Sequence, residues 1–242
     1  MKNYYSLKHL APTYLTRYLN TFELITKNKG LALDVGCADG AYSRELAKKF
    51  NVIGMDINAI ELDKNIVNIK YIVADAKNIP FNKNHFDLAL CIDIIEHIDN
   101  DEKVISEISR VLKKDGQLIL SVPNKNFPIT YDPINYLLNI FGKHMNFGIW
   151  GFGHKRIYQL NQITNLLKKN NFEIIEYRKI TYSFAGLIEN YISDLLQPLT
   201  KKGGQNKKAP NYLILIIKKI INIDKKLGGR RSVGIIISAR KK

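Results

Sequence analysis

Leu31-Ala-Leu-Asp-Val-Gly-Cys-Ala-Asp-Gly40 decides the fold. Leu31, Leu33 and Val35 bracket Asp34 in a short apolar run bounded by glycine, which reads as a buried strand. Gly36 opens a tight turn that lets a ligand approach the backbone, and Gly40 starts a helix running through Tyr42, Leu46 and Phe50. Strand, glycine turn and helix in that order make the first βα unit of a nucleotide-binding sheet. The glycine spacing is G-x-x-x-G, whereas dinucleotide-binding turns use G-x-G-x-x-G to seat a pyrophosphate on helix amides. Asp34 sharpens the distinction. A carboxylate at the end of this strand repels a pyrophosphate and suits a ligand bearing ammonium and sulfonium charges.

Outward from this stretch the chain repeats the unit. Residues 51–56 read as a second strand ending in Asp56, about twenty residues past the glycine turn, where a carboxylate can accept both hydroxyls of a ribose. Residues 57–65 read as a helix and 70–74 as a third strand, followed by Asp75 and Ala76. Pro80-Phe81 marks a turn, and the near-continuous apolar run 86–92, which contains Cys91, suits a strand buried on both faces. A helix is expected over 101–114, stopped by Lys113, Lys114 and Gly116, and a fifth strand over 117–122, closed by Pro123-Asn124. Ahead of the sheet, residues 4–25 carry Leu7, Leu10, Tyr14, Leu15, Tyr18, Leu19 and Phe22 at helical spacing.

Leu33-Asp-Val-Gly-Cys-Ala-Asp-Gly40 resembles motif I of the class I S-adenosylmethionine (SAM) dependent methyltransferases, and the spacing of the five strands over 31–124 is similar to that family's. Asp93-Ile-Ile-Glu-His-Ile98 resembles the Glu-His element that follows the fourth strand in methyltransferases of the ubiquinone and menaquinone biosynthesis type. Gly153-His-Lys-Arg-Ile-Tyr158 resembles the His-x-Arg-x-Tyr/Phe turn before their last crossover helix, here expected over 160–170 and followed by a sixth strand over 172–178.

The resemblance implies an α/β, Rossmann-like seven-stranded sheet, parallel with one antiparallel strand and helices on both faces, plus a helical insertion before the last strand. It implies a SAM cofactor held by Asp34, Gly36, Cys37, Gly40, Asp56, Ile57, Asp75, Ala76 and Cys91. Asp56 would take the ribose, Asp75 with Ala76 the adenine, and Cys91 would line the far side. No metal is required. His97 and His154 are the candidates for a general base or for substrate binding, because imidazole titrates near neutral pH.

The expected organisation is a helical cap over 1–30, a SAM-binding core over 31–180, an insertion over 181–231 and the last strand over 232–242. The insertion departs from the family, which closes its sheet after a short connection. It holds an apolar helix over 183–196, a polar linker over 201–208 and a very apolar helix over 212–221. Flanked by Lys207, Lys208, Lys218, Lys219, Lys225, Lys226, Arg230 and Arg231, these helices suit either the interface of an anionic membrane or packing on the domain or on a second subunit. The aromatic, glycine-rich stretch 127–158 reads as a cover or lid over a pocket mouth.

Composition bounds the rest. A charge of +15, from 37 Lys and Arg against 22 Asp and Glu, favours anionic partners, although Lys is abundant throughout the chain. Two cysteines, Cys37 and Cys91, without C-x-x-C spacing offer no disulfide framework and no zinc site, so a reducing cytoplasm is expected. Lys8, His9 and Arg17 interrupt any signal-peptide core, and no apolar run reaches spanning length. The acceptor expected is a small molecule or a lipid-linked compound, methylated at oxygen. RNA or protein methylation and a non-catalytic, membrane-anchored SAM-fold scaffold are the alternatives. Nucleic acid is disfavoured because Ile92-Asp-Ile-Ile-Glu96 lacks the Asn/Asp-Pro-Pro-Tyr turn of amide and adenine methylation, and no catalytic cysteine follows the fifth strand.

Overall fold

A computed structural model describes residues 5–58, 68–125, 137–138, 140–143, 145, 153–182, 185–186, 189, 208–227 and 232–242. Most of the helix expected over 57–65, of the aromatic stretch, of the first insertion helix and of its linker lies outside these residues. The strands are β1 (Leu31–Val35), β2 (Asn51–Asp56), β3 (Ile69–Val73), β4 (Phe86–Ile92), β5 (Leu112–Pro123), β6 (Phe172–Ile180) and β7 (Gly234–Lys241). They form one seven-stranded sheet in the order β3-β2-β1-β4-β5-β7-β6.

β1 pairs in parallel with β2 and β4, β2 with β3, and β4 with β5. β7 runs against its neighbours. Toward β5, the side chains of Ser238 and Lys241 meet Gln117 and the carbonyl of Leu112, while Asn124 N–H donates to Val233 O. Toward β6, Val233 N–H donates to Thr181 O and Lys242 N–H to Asn171 O. The sheet is therefore the expected mixed one, with a single reversed strand.

Hydrophobic patterning explains the order. β1, β4 and β7 are nearly continuous in buried apolar residues, as strands covered on both faces must be. Edge strand β6 buries only its ends, Phe172 and Ile180, and exposes Ile175 and Tyr177 among charged residues. The helices labelled here are α1 (Pro12–Leu24), α2 (Ala41–Leu46), α3 (Asp101–Val111), α4 (Leu160–Lys169) and α5 (Asn211–Leu227). α3 is capped by Asn100, whose side chain accepts from Lys103 N–H at 3.0 Å, with Asp101 and Glu102 in the first turn.

α3 ends at Val111, not at the Lys113-Lys114-Gly116 signal, because Leu112 is already extended and pairs with Phe86. The register then shifts so that Leu88 faces Gln117. Asp115 in the left-handed region (φ 60°) and Gly116, where a Cβ would stand 2.7 Å from Lys113 O, make this irregularity possible. The buried Gln117 then ties the sheet to the end of α1. Its amide donates to Leu24 O at 2.7 Å and Ser238 Oγ at 2.8 Å, and its oxygen accepts from Thr26 N–H at 3.0 Å.

The chain divides into two compact units. The sheet unit comprises Thr21–Pro123, Lys155–Arg178 and Ile236–Lys242; the helical unit comprises Met1–Asn20, Asn124–His154 and Lys179–Ile235. Within the helical unit, Ser6 bridges Lys208, and Ala209 N–H donates to Tyr5 O at 2.7 Å, so the amino-terminal stretch is joined to the start of α5. Buried Asp224 of α5 accepts from Tyr182 N–H at 2.6 Å and Ala185 N–H at 2.9 Å. Glu189 does the same for Thr13 N–H, at 2.7 Å, in the first turn of α1.

Candidate functional site

Strands β3, β2, β1 and β4 point the same way, so the segments after them share one edge of the sheet. Val35 stands opposite Met55 and Cys91, and Asp56 opposite Val73. Between β1 and β4 the strand order changes direction, and a parallel sheet opens a crevice at such a point, outside the carboxyl ends of its strands. The glycine turn after β1 and the Asp93–Glu96 segment after β4 border it.

The turn is held by backbone bonds. Gly36 and Cys37 N–H both donate to Met55 O, at 2.7 and 3.0 Å. Gly36 has φ 69°, and a Cβ there would collide with the side chain of Ile94 from the β4 segment. The left-handed backbone calls for glycine, and a side chain there would also have to displace Ile94. Gly40 has φ 71° and begins α2, while Ala38 adopts φ 44°, an uncommon conformation for a residue with a side chain.

Three acids line this edge, each differently engaged. Asp34 is buried (2% exposed) and accepts a 2.6 Å bond from Ser43 Oγ on α2. Burial pushes its carboxyl up to about 7, against the Ser43 bonds and assisted by the charges of Asp39 and Asp56. Asp56, half-buried at the end of β2, accepts from Ala38 N–H at 3.1 Å and Asn58 N–H at 3.0 Å. Asp75 accepts from Lys77 N–H at 2.8 Å and remains partly exposed beside buried Ala76. Ile57, next to Asp56, is 66% exposed.

Cys37 and Cys91 are free and buried, and burial followed by nearby carboxylates raises both thiols above their ordinary range. Both stay protonated at neutral pH, which removes them as nucleophiles. Cys91 lies in β4 beside Val35.

His97 ends the single-turn helix Ile95–His97 and is half-buried, next to fully buried Glu96. His154, also half-buried, belongs to the helical unit. The residues just after it dock on the β4 segment. Lys155 N–H donates to Glu96 O at 2.8 Å, Lys155 Nζ pairs with Asp99 at 2.7 Å and Arg156 with Asp101 at 2.8 Å. Buried Tyr158 donates its hydroxyl to Asp101 at 2.7 Å and its N–H to Pro123 O at 3.0 Å. Burial, then the Asp101 bond and charge, raise this phenol far above neutral pH, so it acts as a donor and not as a base.

The arrangement brings Gly36, Cys37, Asp56, Asp75, Ala76 and Cys91 to one edge and turns Asp34 inward beneath them. Sequence reasoning missed Ser43, and although its motifs include Glu96, Arg156 and Tyr158, it missed the burial of Glu96 and the pairing of Arg156 and Tyr158 with Asp101. A serine in an amphipathic helix gives no sign that it meets a strand acid, and a cluster assembled from two distant stretches has no spacing to find.

The donor set fits SAM. The glycine cradle leaves no room for a side chain, Asp56 offers acceptor capacity for a diol, and the described acids suit a cationic ligand. The family model described as a methyltransferase domain matches residues 7–177. An uncharacterized protein of Methanocaldococcus jannaschii is 40% identical over 117 residues, 48% of this chain and 50% of that protein, so the match spans half that relative's length. The ubiquinone biosynthesis O-methyltransferase of Coxiella burnetii is 25% identical over 185 residues, 72% of this chain and 76% of that one. In fold, the chain is similar to Haemonchus contortus phosphoethanolamine N-methyltransferase 2 solved with S-adenosyl-L-methionine (TM-score 0.61, 20% identity, 93% of this chain and 52% of that one). With well over half of its length matched by the family model, on a sheet and glycine turn of the corresponding kind, the chain belongs to the S-adenosyl-L-methionine-dependent methyltransferase family.

Proposed function

We propose that the chain methylates an oxygen of a small-molecule or lipid-linked acceptor at the carboxyl edge of β1 to β4. The observation that carries the cofactor half of this reading is the convergence of the Gly36 turn, Asp56 and Asp75 on that edge. The oxygen acceptor is supported by the similarity to a ubiquinone biosynthesis O-methyltransferase.

S-adenosyl-L-methionine, when bound, supplies a methyl group already activated by its sulfonium. The chain's own task is to hold, orient and deprotonate. The backbone at Gly36, Cys37 and Gly40 receives the methionine end, with Asp34 as a buried negative charge behind it. Asp56 accepts the ribose hydroxyls beside Ile57, Asp75 and Ala76 receive the adenine, and Cys91 lines the floor. His97 takes the proton of the acceptor hydroxyl, with His154 as the alternative base.

Calorimetric titration with S-adenosylhomocysteine tests the first half. Asp56→Ala should weaken binding by about 1–3 kcal/mol, the range for hydrogen bonds to a charged group. No binding to the folded wild-type chain would overturn the reading. Transfer of labelled methyl from SAM into a cell lipid extract tests the second half. His97→Ala and His154→Ala should each be compared for turnover at unchanged cofactor affinity, and unchanged turnover in both would remove the general-base assignment.

A further inference from the structure

We propose that the outer face of α5 docks the chain on an anionic lipid surface. The helix has two unlike faces. Its inner face buries Ile214, Ile217 and Asp224. Its outer face exposes Tyr212 (64%), Leu215 (60%), Ile216, Ile223 and Leu227 (71%), with exposed Lys219 and Lys226 among them and exposed Lys225 to one side in the last turn. Positions 212, 216, 219, 223 and 227 recur every three or four residues and so form one stripe.

The charge on this stripe is all of one sign. Asp224 is the only acid in α5, and its carboxylate is spent inside the unit on the N–H groups of Tyr182 and Ala185. Lys218 is drawn to Tyr5, with its ammonium 3.2 Å from the hydroxyl and 5.0 Å from the ring centre. The helical unit carries a second stretch of the same character, where Leu137, Ile140, Phe141 (76%) and Met145 are exposed around Lys143. Of the thirteen exposed bulky hydrophobics among the described residues, nine lie in this unit.

Aliphatic side chains flanked by lysines match the boundary between acyl chains and anionic head groups, where the apolar atoms sink in and the ammonium groups stay at the surface. A second copy of the chain fits worse, since pairing two such faces brings lysine against lysine with no exposed acid on the helix to offset them. A nucleic acid fits worse too, because the stripe has one aromatic residue to stack on bases and is otherwise aliphatic. No helix among the described residues is long and apolar enough to cross a membrane, so α5 lies on the surface.

The inference gives the proposed lipid-linked acceptor a place to be met, and rests on that reading only for its purpose. The test uses the full chain without cofactor or acceptor. It is sedimented with vesicles of phosphatidylcholine alone and of phosphatidylcholine with an equal part of phosphatidylglycerol, at low and high salt. Pelleting with the mixed vesicles only, weakened by salt, is expected. The combined variant K219E, K225E and K226E should lower the partition coefficient about a hundredfold, at roughly fivefold per lysine. The variant L215Q, I216Q and I223Q should lower it while keeping the charge. S-adenosylhomocysteine titration of the same variants, expected unchanged, shows that they are folded and keeps this test separate from that of the methyltransferase reading. Absence of pelleting by the wild-type chain, or equal pelleting by both variants, overturns the proposal. So does a concentration-dependent dimer in the absence of vesicles that these substitutions abolish, which would assign the face to a second copy.

Discussion

The acids at the carboxyl edge of the sheet and the acids of the helical unit do the same local job over very different distances along the chain. Asp75 holds an amide two residues on, Asp34 a hydroxyl nine residues on and Asp56 an amide eighteen residues back. In the helical unit, Asp224 holds amides 42 and 39 residues away, and Glu189 one that is 176 residues away. The edge is thus assembled by neighbours within βα units and can form as each unit forms. The helical unit depends on closure of long loops, which costs entropy before any contact rewards it. Its acids are fastenings between segments, whereas Asp56 and Asp75 at the edge stay partly exposed to a ligand.

Breaking the edge should have the largest effect. Gly36→Ala places a Cβ against Ile94 in a left-handed backbone, and should cost about 3 kcal/mol of stability along with cofactor binding. Thermal unfolding and S-adenosylhomocysteine titration read the two losses. Retention of both would mean that the turn and the β4 segment can part. Asp224→Ala should come next, at about 1–3 kcal/mol, because it leaves two amides without their acceptor. Hydrogen exchange should show lost protection at Tyr182 and Ala185 with cofactor affinity unchanged. A matching loss of affinity would show that Asp224 also supports the cofactor edge.

Taken per pH unit, the smallest effect is a pH dependence. The folded-state pKa of Asp34 is raised from 3.8 to about 7, so the folded chain keeps a proton that the unfolded chain gives up above about pH 4. This group therefore favours folding most below its unfolded pKa, and its contribution declines as pH climbs toward 7. A cationic ligand favours the ionised form, so cofactor affinity should rise with pH by up to tenfold per unit below 7 and then level off. Asp34→Asn should flatten that profile. A slope that survives the substitution would assign the titration to another group.

Much of the fold was legible because its signals are local. Apolar runs of strand length, a glycine turn and acids at strand ends place β1, β2, β3 and β4, whereas the reversed strand is implied by the family resemblance and located across the insertion by its apolar run. The end of α3 was misjudged because the pairing of Leu112 with Phe86 outweighed a helix stop signal. Asp34 was read as facing a ligand, and its burial against Ser43 was invisible because no periodicity records which strand a helix side chain meets. The same holds for Tyr158 and Asp101, and for the bridge between Ser6 and Lys208.

By itself, the sequence determined the βα order, the family and the row of strand-end positions at which a cofactor is expected, since each follows from residues within one turn or strand of one another. Only the tertiary structure decided which acids are buried and what they hold, how distant stretches form the helical unit, and which face of α5 stays outside. Burial is a property of what packs against a side chain, and in this chain the packing partner is often a hundred or more residues away.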